Sequence, residues 1–243
     1  MRRITNAEAL RHWASYPREL IERFGDEGDF ARQNLLNPAI FRMLGDVAGK
    51  HVLDAGCGQG YLCRLLAKRG AHVTGVEPAE PMIGYAAERE RGEQLGIAYV
   101  QADLSSWSPA GEQFDAAIAN MVLMDIPDYQ RAVVNCVRAL KHGGSLIVSI
   151  LHPCFEATDA EYNEHGHVIV REYFEEHSIR QLYGYLFHRT LSTYLNLIIR
   201  SGCRIAQVDE PQLDSAFEAQ DRRLGRNVHV PAFLIIHAIK DSQ

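Results

Sequence analysis

Val52-Leu53-Asp54-Ala55-Gly56-Cys57-Gly58-Gln59-Gly60 decides how the rest of the chain is read. An apolar run passes through an aspartate into three alternate glycines. Residues 61–69 then carry Leu62, Leu65 and Leu66 on one helical face, with Arg64, Lys68 and Arg69 on the other. The pattern predicts a buried strand, a tight turn and a helix. Glycine suits the turn because the main chain must bend sharply there and a ligand must approach it closely. The helix that follows points its free N–H groups back at the loop. Dinucleotide enzymes use the spacing Gly-x-Gly-x-x-Gly, but here Gly60 arrives one residue early and Tyr61 holds the other position. Asp54 would oppose a pyrophosphate and suits the ammonium of an amino acid. Its plainer alternative role is to cap a turn.

Outward from this stretch, short apolar runs alternate with amphipathic segments. Residues 51–55, 71–76, 97–101, 114–119 and 144–151 read as strands, and 61–69, 80–91 and 129–140 as helices, with Gly70 as a natural stop. Strands that are apolar throughout and alternate with helices predict a parallel sheet covered on both faces. The tail differs: residues 190–201 read as a helix and 204–208 and 232–239 as strands, with no clear helical crossover between those two. An antiparallel pair at one edge follows. Residues 6–46 read as helical, broken at 25–29 by Gly-Asp-Glu-Gly-Asp, with Pro38 where a new helix can begin.

Glu77 closes the second strand, where an acidic side chain can accept from both hydroxyls of a ribose. Asp103 follows the third, in Gln101-Ala102-Asp103-Leu104, where a carboxylate can accept from an exocyclic amine of adenine. Carboxylates at three successive strand ends share the rim at which open α/β sheets bind ligands.

With these residues the sequence resembles the class I S-adenosylmethionine-dependent methyltransferases over about residues 48–151. The glycine stretch carries the resemblance together with Val73-Thr74-Gly75-Val76-Glu77-Pro78, Met82, Gln101-Ala102-Asp103, Phe114-Asp115 leading to Asn120-Met121, and Leu140-Lys141-His142-Gly143-Gly144. The resemblance implies a single α/β domain over residues 1–243. Its Rossmann-like sheet would have seven mostly parallel strands, the last antiparallel, with helices on both faces. It implies S-adenosyl-L-methionine as cofactor and S-adenosyl-L-homocysteine as product. Asp54, Ala55, Gly56, Cys57, Gly58 and Gly60 would serve the methionine part, and Glu77 with Pro78 the ribose. Ala102, Asp103 and Leu104 would serve the adenine, with Met82 against it or in the core, and Asn120 and Met121 would complete the site. The Asn/Asp-Pro-Pro-aromatic motif of many nucleic-acid and protein N-methyltransferases is absent, since Asn120-Met121-Val122-Leu123 stands in its place.

Methyl transfer from a sulfonium mainly requires alignment and exclusion of water, with a base needed only where the acceptor must lose a proton. Two segments are available to build an acceptor site. One is the N-terminal helical lid of residues 1–46, where Tyr16 and Arg32 could close over the cofactor or contact its carboxylate. The other is an insertion at 152–190, too long for a simple connection. The insertion holds Phe155, Tyr162, Tyr173, Phe174, Tyr183, Tyr185 and Phe187, and five of the eleven histidines: His152, His165, His167, His177 and His188. No ligand spacing beyond His165-x-His167 points to a metal, and none is expected. His152, after the fifth strand, is the candidate general base, with shaping of the turn before Pro153 as its plainer role. His188 precedes a helix that Thr190 can cap. A family of small bacterial-type methyltransferases shares the layout, through Asp29-Phe30-Ala31-Arg32, His152-Pro153-Cys154-Phe155 and Leu191-Ser192-Thr193-Tyr194-Leu195.

Composition bounds these readings. The 243 residues are 47% apolar and 23% charged, with a net charge of −6 and no basic block, so nucleic acid is a poor partner. Five scattered cysteines without a Cys-x-x-Cys pair predict reduced thiols. No signal core or membrane-length apolar run is present, so a cytoplasmic protein that does not engage a membrane is expected. The oligomeric state stays open, a homodimer included. The expected activity is methyl transfer to an oxygen or nitrogen of a small, aromatic or polyfunctional metabolite. A nicotinamide-binding oxidoreductase and a protein that uses the bound sulfonium for another reaction are the rivals.

Overall fold

The structure is a computed structural model that describes residues 4–111, 113–155, 161–162, 167–217 and 227–242. Two short helices, α1 (Asn6–Trp13) and α2 (Arg18–Glu22), open it. A wide π turn over Arg32–Leu36 runs straight into α3 (Asn37–Leu44), with Pro38 in the first turn, where its missing N–H costs nothing. The alternating part follows as β1 (His51–Ala55), α4 (Tyr61–Ala67), β2 (His72–Glu77), α5 (Glu80–Glu93), β3 (Ala98–Gln101), β4 (Phe114–Asn120), α6 (Tyr129–Ala139) and β5 (Leu140–Leu151). The insertion holds two hairpins, β6 (Glu161–Tyr162) with β7 (Val168–Ile169) and β8 (His177–Gln181) with β9 (Gly184–His188). The chain ends with α7 (Leu191–Arg200), β10 (Cys203–Asp209) and β11 (Phe233–Lys240).

Seven strands form one sheet in the order β10-β11-β5-β4-β1-β2-β3. β11 runs antiparallel to both its neighbours, and the pairs between β5 and β3 are parallel. The antiparallel tail and the seven-stranded Rossmann-like sheet are as the sequence predicts. β5 begins earlier than predicted, because Leu140 already pairs with Phe114 before a register shift at Phe114/Ala116.

Alternation along each strand sorts the core into two layers. Leu53, Ala55, Ala117, Ala119, Leu146 and Val148 face α6 and α7. Val52, Ala116, Ile118, Ile147 and Ile235 face α3 and α4. Side chains buried this completely contribute about 1.5–3 kcal/mol each for the larger aliphatics. Asp54 shares the Val52 face, so its carboxylate is carried into the interior beneath α4. Order reverses about β1, which has β4 on one side and β2 on the other. The crevice at the carboxyl ends of these strands is where such sheets bind ligands.

The five cysteines are free thiols. Among the described residues no helix is long and apolar enough to cross a membrane.

Candidate active site

The glycine loop leaves β1 with Gly56 at φ 78° and enters α4 through Gly60 at φ 79°, both left-handed. The loop is fastened below by the N–H groups of Gly56 and Cys57, which donate to Val76 O at 2.7 and 3.1 Å. A β-carbon on Gly56 would lie 2.6 Å from both methyls of Val122, and one on Gly60 would lie 2.4 Å from the Tyr99 hydroxyl. Two of the glycines are therefore required by packing as well as by backbone angle.

Beneath the loop, Asp54 is 2% exposed and accepts from the Cys63 thiol at 3.1 Å. Burial pushes its pKa up to about 7. Glu77 accepts from Gly58 N–H at 3.1 Å through one oxygen and from Ala79 N–H at 2.9 Å through the other. Burial lifts its pKa to about 7 as well, against those two donors and with a smaller contribution from the charge of Asp54. Asp103 accepts from Ser105 N–H at 2.9 Å and from Asn6 Nδ2 at 3.0 Å. All three carboxylates line one cavity.

The far wall comes from the end of β4. Asn120 donates to the Tyr61 hydroxyl at 2.7 Å and accepts from Ser149 Oγ at 2.6 Å, and Tyr61 donates to Asn37 Oδ1 at 3.2 Å. This chain of polar groups ties the floor of the cavity to α3. Met121 follows with φ 59°, a costly angle for a side-chain-bearing residue and one that collects at functional sites. The next turn, Leu123–Asp125, is a single 3-10 turn. It is held by Arg189, whose guanidinium donates to Leu123 O and Ile126 O, each at 2.8 Å, and lies 3.7 Å over the Tyr129 ring.

The N-terminal segment forms the cover. Asn6, Leu10, Trp13, Phe24 and Arg32 line the cavity. Arg32 pairs with Asp29 at 2.6 Å and sits over the Phe24 ring. Asn6 also accepts from Asp128 N–H at 2.9 Å, so one amide joins the cover to two rim loops. Gln59 donates to Gly25 O at 2.9 Å, and Asp26 pairs with Arg89 at 2.7 Å, which fastens the bend at 25–29 to the glycine loop and α5.

Of the residues singled out from sequence, Asp54, Gly56, Cys57, Gly58, Glu77, Pro78, Met82, Asp103, Leu104, Asn120, Met121 and Arg32 all line this cavity. Ala55 lies in the core, Gly60 is turned toward Tyr99, and Ala102 packs against the α6–α7 layer. Tyr16 stands one layer back, stacked on Trp13 and tilted against Tyr183. His152 is not in the cavity wall. Its Nδ1 accepts from Cys154 N–H at 3.2 Å, so Nε2 carries the proton and meets Glu210 Oε1 at 2.7 Å. Burial lowers its pKa.

The described strand β9 of the insertion also stands behind the wall. Tyr185 meets His12 edge-on and Gly184 lies against the Trp13 indole, so β9 buttresses α1. No described residue of 152–190 lines the cavity. His165 and the side chain of Tyr162 lie outside the described residues. The sequence reading missed Asn6, Phe24 and Asp125 as wall residues. For Asp125 the signal was present, since it is a fourth carboxylate just past a strand end, like the other three.

A mostly parallel seven-stranded sheet with a carboxylate-lined cavity at its switch point defines a Rossmann-like α/β protein whose ligand site lies at the carboxyl ends of the strands. The residues fit a nucleoside joined to an amino acid: Asp54, buried, and Glu77, half-buried, both with pKa values near 7, have no ion-pair partner among the described residues to hold them ionised. Known proteins agree. A family model described as a methyltransferase domain matches residues 53–148. The chain is 37% identical over 127 residues to a ubiquinone biosynthesis O-methyltransferase of Coxiella burnetii, a match covering 51% of this chain and 54% of that one. It is 31% identical over 150 residues to a protein of the same name from Methylococcus capsulatus, covering 56% and 63%. The chain thus spans little more than half the length of the curated relatives it matches. The crystal structure of an S-adenosylmethionine-dependent methyltransferase from Mesorhizobium loti superposes with a TM-score of 0.76 at 30% identity, covering 89% of this chain and 100% of that one. The chain belongs to the S-adenosylmethionine-dependent methyltransferases.

Proposed function

We propose that the chain methylates an oxygen of a small, hydroxylated aromatic molecule. The observation that carries this reading is that Asp54, Glu77, Asp103 and Arg32 line one cavity, covered by Leu10, Trp13 and Phe24. The relatives named O-methyltransferases favour oxygen over nitrogen. The flat apolar surfaces of Trp13 and Phe24 favour an aromatic acceptor.

In this reading Asp54 takes the cofactor's ammonium and Arg32 its carboxylate. Glu77 accepts from the ribose hydroxyls, and Asp103 accepts from the adenine amine. Leu104, Pro78 and Met82 supply apolar contact, while Gly56, Cys57 and Gly58 let the ligand approach the backbone. Asn120 and Met121 close the floor. Ala55, Gly60 and Ala102 shape the site without touching the ligand, and Tyr16 acts through Trp13. When bound, S-adenosylmethionine supplies a methyl group already activated on a sulfonium. The protein holds the acceptor oxygen in line with it, and Leu10, Trp13 and Phe24 keep water out.

Calorimetry with S-adenosylmethionine, followed by mass spectrometry of catechol incubated with protein and cofactor, tests the reading. Binding at sub-millimolar concentration and a methylated catechol are expected. Failure to bind the cofactor would end it.

A further inference from the structure

Asp54, Glu77 and Asp103 each accept hydrogen bonds from protein donors, and the proposed function uses all three for the cofactor. A fourth carboxylate lines the same cavity. Asp125 sits in the turn after β4, and its side chain accepts no hydrogen bond from any described residue. Two features fix its place. Val122, three residues earlier, lies on Gly56, so this turn abuts the loop at the methionine end of the cavity. Arg189 grips the carbonyls on both sides of Asp125 without pairing with the carboxylate itself. A carboxylate on the cavity wall, in a turn that Arg189 holds by its carbonyls and with no hydrogen-bond partner among the described residues, is placed for a ligand proton.

We propose that Asp125 is a catalytic residue that accepts the acceptor's hydroxyl proton during methyl transfer. The inference rests on the O-methylation reading above. The acceptor O–H bond breaks and its proton moves to Asp125. The electron pair left on oxygen forms the new O–CH3 bond, and the pair of the broken S–CH3 bond stays on sulfur. Asp125 then releases the proton to solvent when product leaves. Burial supports this role by raising the Asp125 pKa to about 8, which makes the carboxylate a stronger base near neutrality. The groups facing it are Arg32 from the π turn and Arg189 from the link between β9 and α7, which oppose that rise, Glu77 from β2, which adds to it, and the Tyr194 phenol of α7.

The experiment compares D125N and D125E with the unmodified protein, using catechol and the more acidic 4-nitrocatechol at saturating S-adenosylmethionine. D125N is expected to bind the cofactor as before and to methylate catechol about a hundredfold more slowly. It should lose far less with 4-nitrocatechol, whose hydroxyl ionises with little help. D125E should recover part of the catechol rate, and the rise of that rate with pH should vanish in D125N. A second readout needs no turnover: with S-adenosylhomocysteine bound, the ionised absorption band of 4-nitrocatechol should grow on binding to the unmodified protein and not to D125N. If D125N is poorly folded, the pH profile of D125E carries the comparison and must shift. Equal catechol turnover in D125N, or equal slowing of both phenols with an unchanged band, overturns the proposal. Cofactor binding without methylation or binding of either phenol overturns the acceptor reading, and Asp125 then has no proton to take.

Discussion

Val122 lies on the bare α-carbon of Gly56, with both its methyls 2.6 Å from where a β-carbon would stand. The contact joins the glycine loop after β1 to the turn after β4. Gly56→Ala meets a steric clash there and an unfavourable left-handed φ of 78°. Together these should destabilise the fold by about 2 kcal/mol or more and weaken S-adenosylmethionine binding. Adding Val122→Ala should recover the part due to the clash and leave the part due to φ. Urea denaturation of the single and double variants measures both.

Arg189 is 5% exposed and makes two hydrogen bonds at 2.8 Å to the carbonyls of Leu123 and Ile126. Arg189→Leu leaves both carbonyls without their charged donor and should cost about 3 kcal/mol in chemical denaturation. Methyl transfer should fall further than cofactor affinity, because the turn that slackens carries Asp125 and not Asp54, Glu77 or Asp103, the carboxylates proposed to hold the cofactor. Arg189→Lys should recover little, since a point charge cannot span two carbonyls while stacking on Tyr129.

Much of this geometry is readable in the sequence because local chemistry dictates it. Gly56 and Gly60 announce the loop, and Asp54, Glu77 and Asp103 stand at or just beyond the ends of the first three strands. The unread part depends on distant segments. Nothing local to Asn6 says that it meets residues near 103 and 128, and the cover forms only when α1 folds back over the rim. The insertion misleads for a related reason. Its aromatic residues suggest a substrate wall, yet Tyr183, Gly184 and Tyr185 are spent supporting Tyr16, Trp13 and His12. His152 occupies the expected place after β5, but Glu210 and Cys154 engage both its ring nitrogens away from the cavity.

Asn6 donates to Asp103 at 3.0 Å and accepts from Asp128 N–H at 2.9 Å, bridging two rim loops through one amide. Asn6→Asp replaces the donor with a second carboxylate facing Asp103. The cover should lift, and cofactor affinity should fall about tenfold, equivalent to about 1.4 kcal/mol. Asn6→Ala, which loses the bridge without adding repulsion, should fall less. Calorimetry at fixed pH distinguishes the two variants, and equal losses would mean that repulsion at Asp103 plays no part.

Asp54 and Glu77 both have folded-state pKa values raised to about 7 by burial, whereas in an unfolded chain each titrates near about 4. Between those values the ligand-free protein holds protons that the unfolded chain has released, so its stability should fall as pH rises from about 4 to 7 and then level off. Cofactor binding should run the other way. An ammonium at Asp54 favours the ionised form, so below pH 7 binding must expel protons. Affinity should therefore climb as pH rises toward 7 and flatten above it, with a slope of up to about tenfold per pH unit for each carboxylate that ionises. Asp54→Asn should remove one of the two contributions. Calorimetry in buffers of different ionisation enthalpy counts the protons released. An affinity independent of pH across this window would mean that Asp54 does not meet the cofactor's ammonium and that Glu77 does not ionise when the cofactor binds.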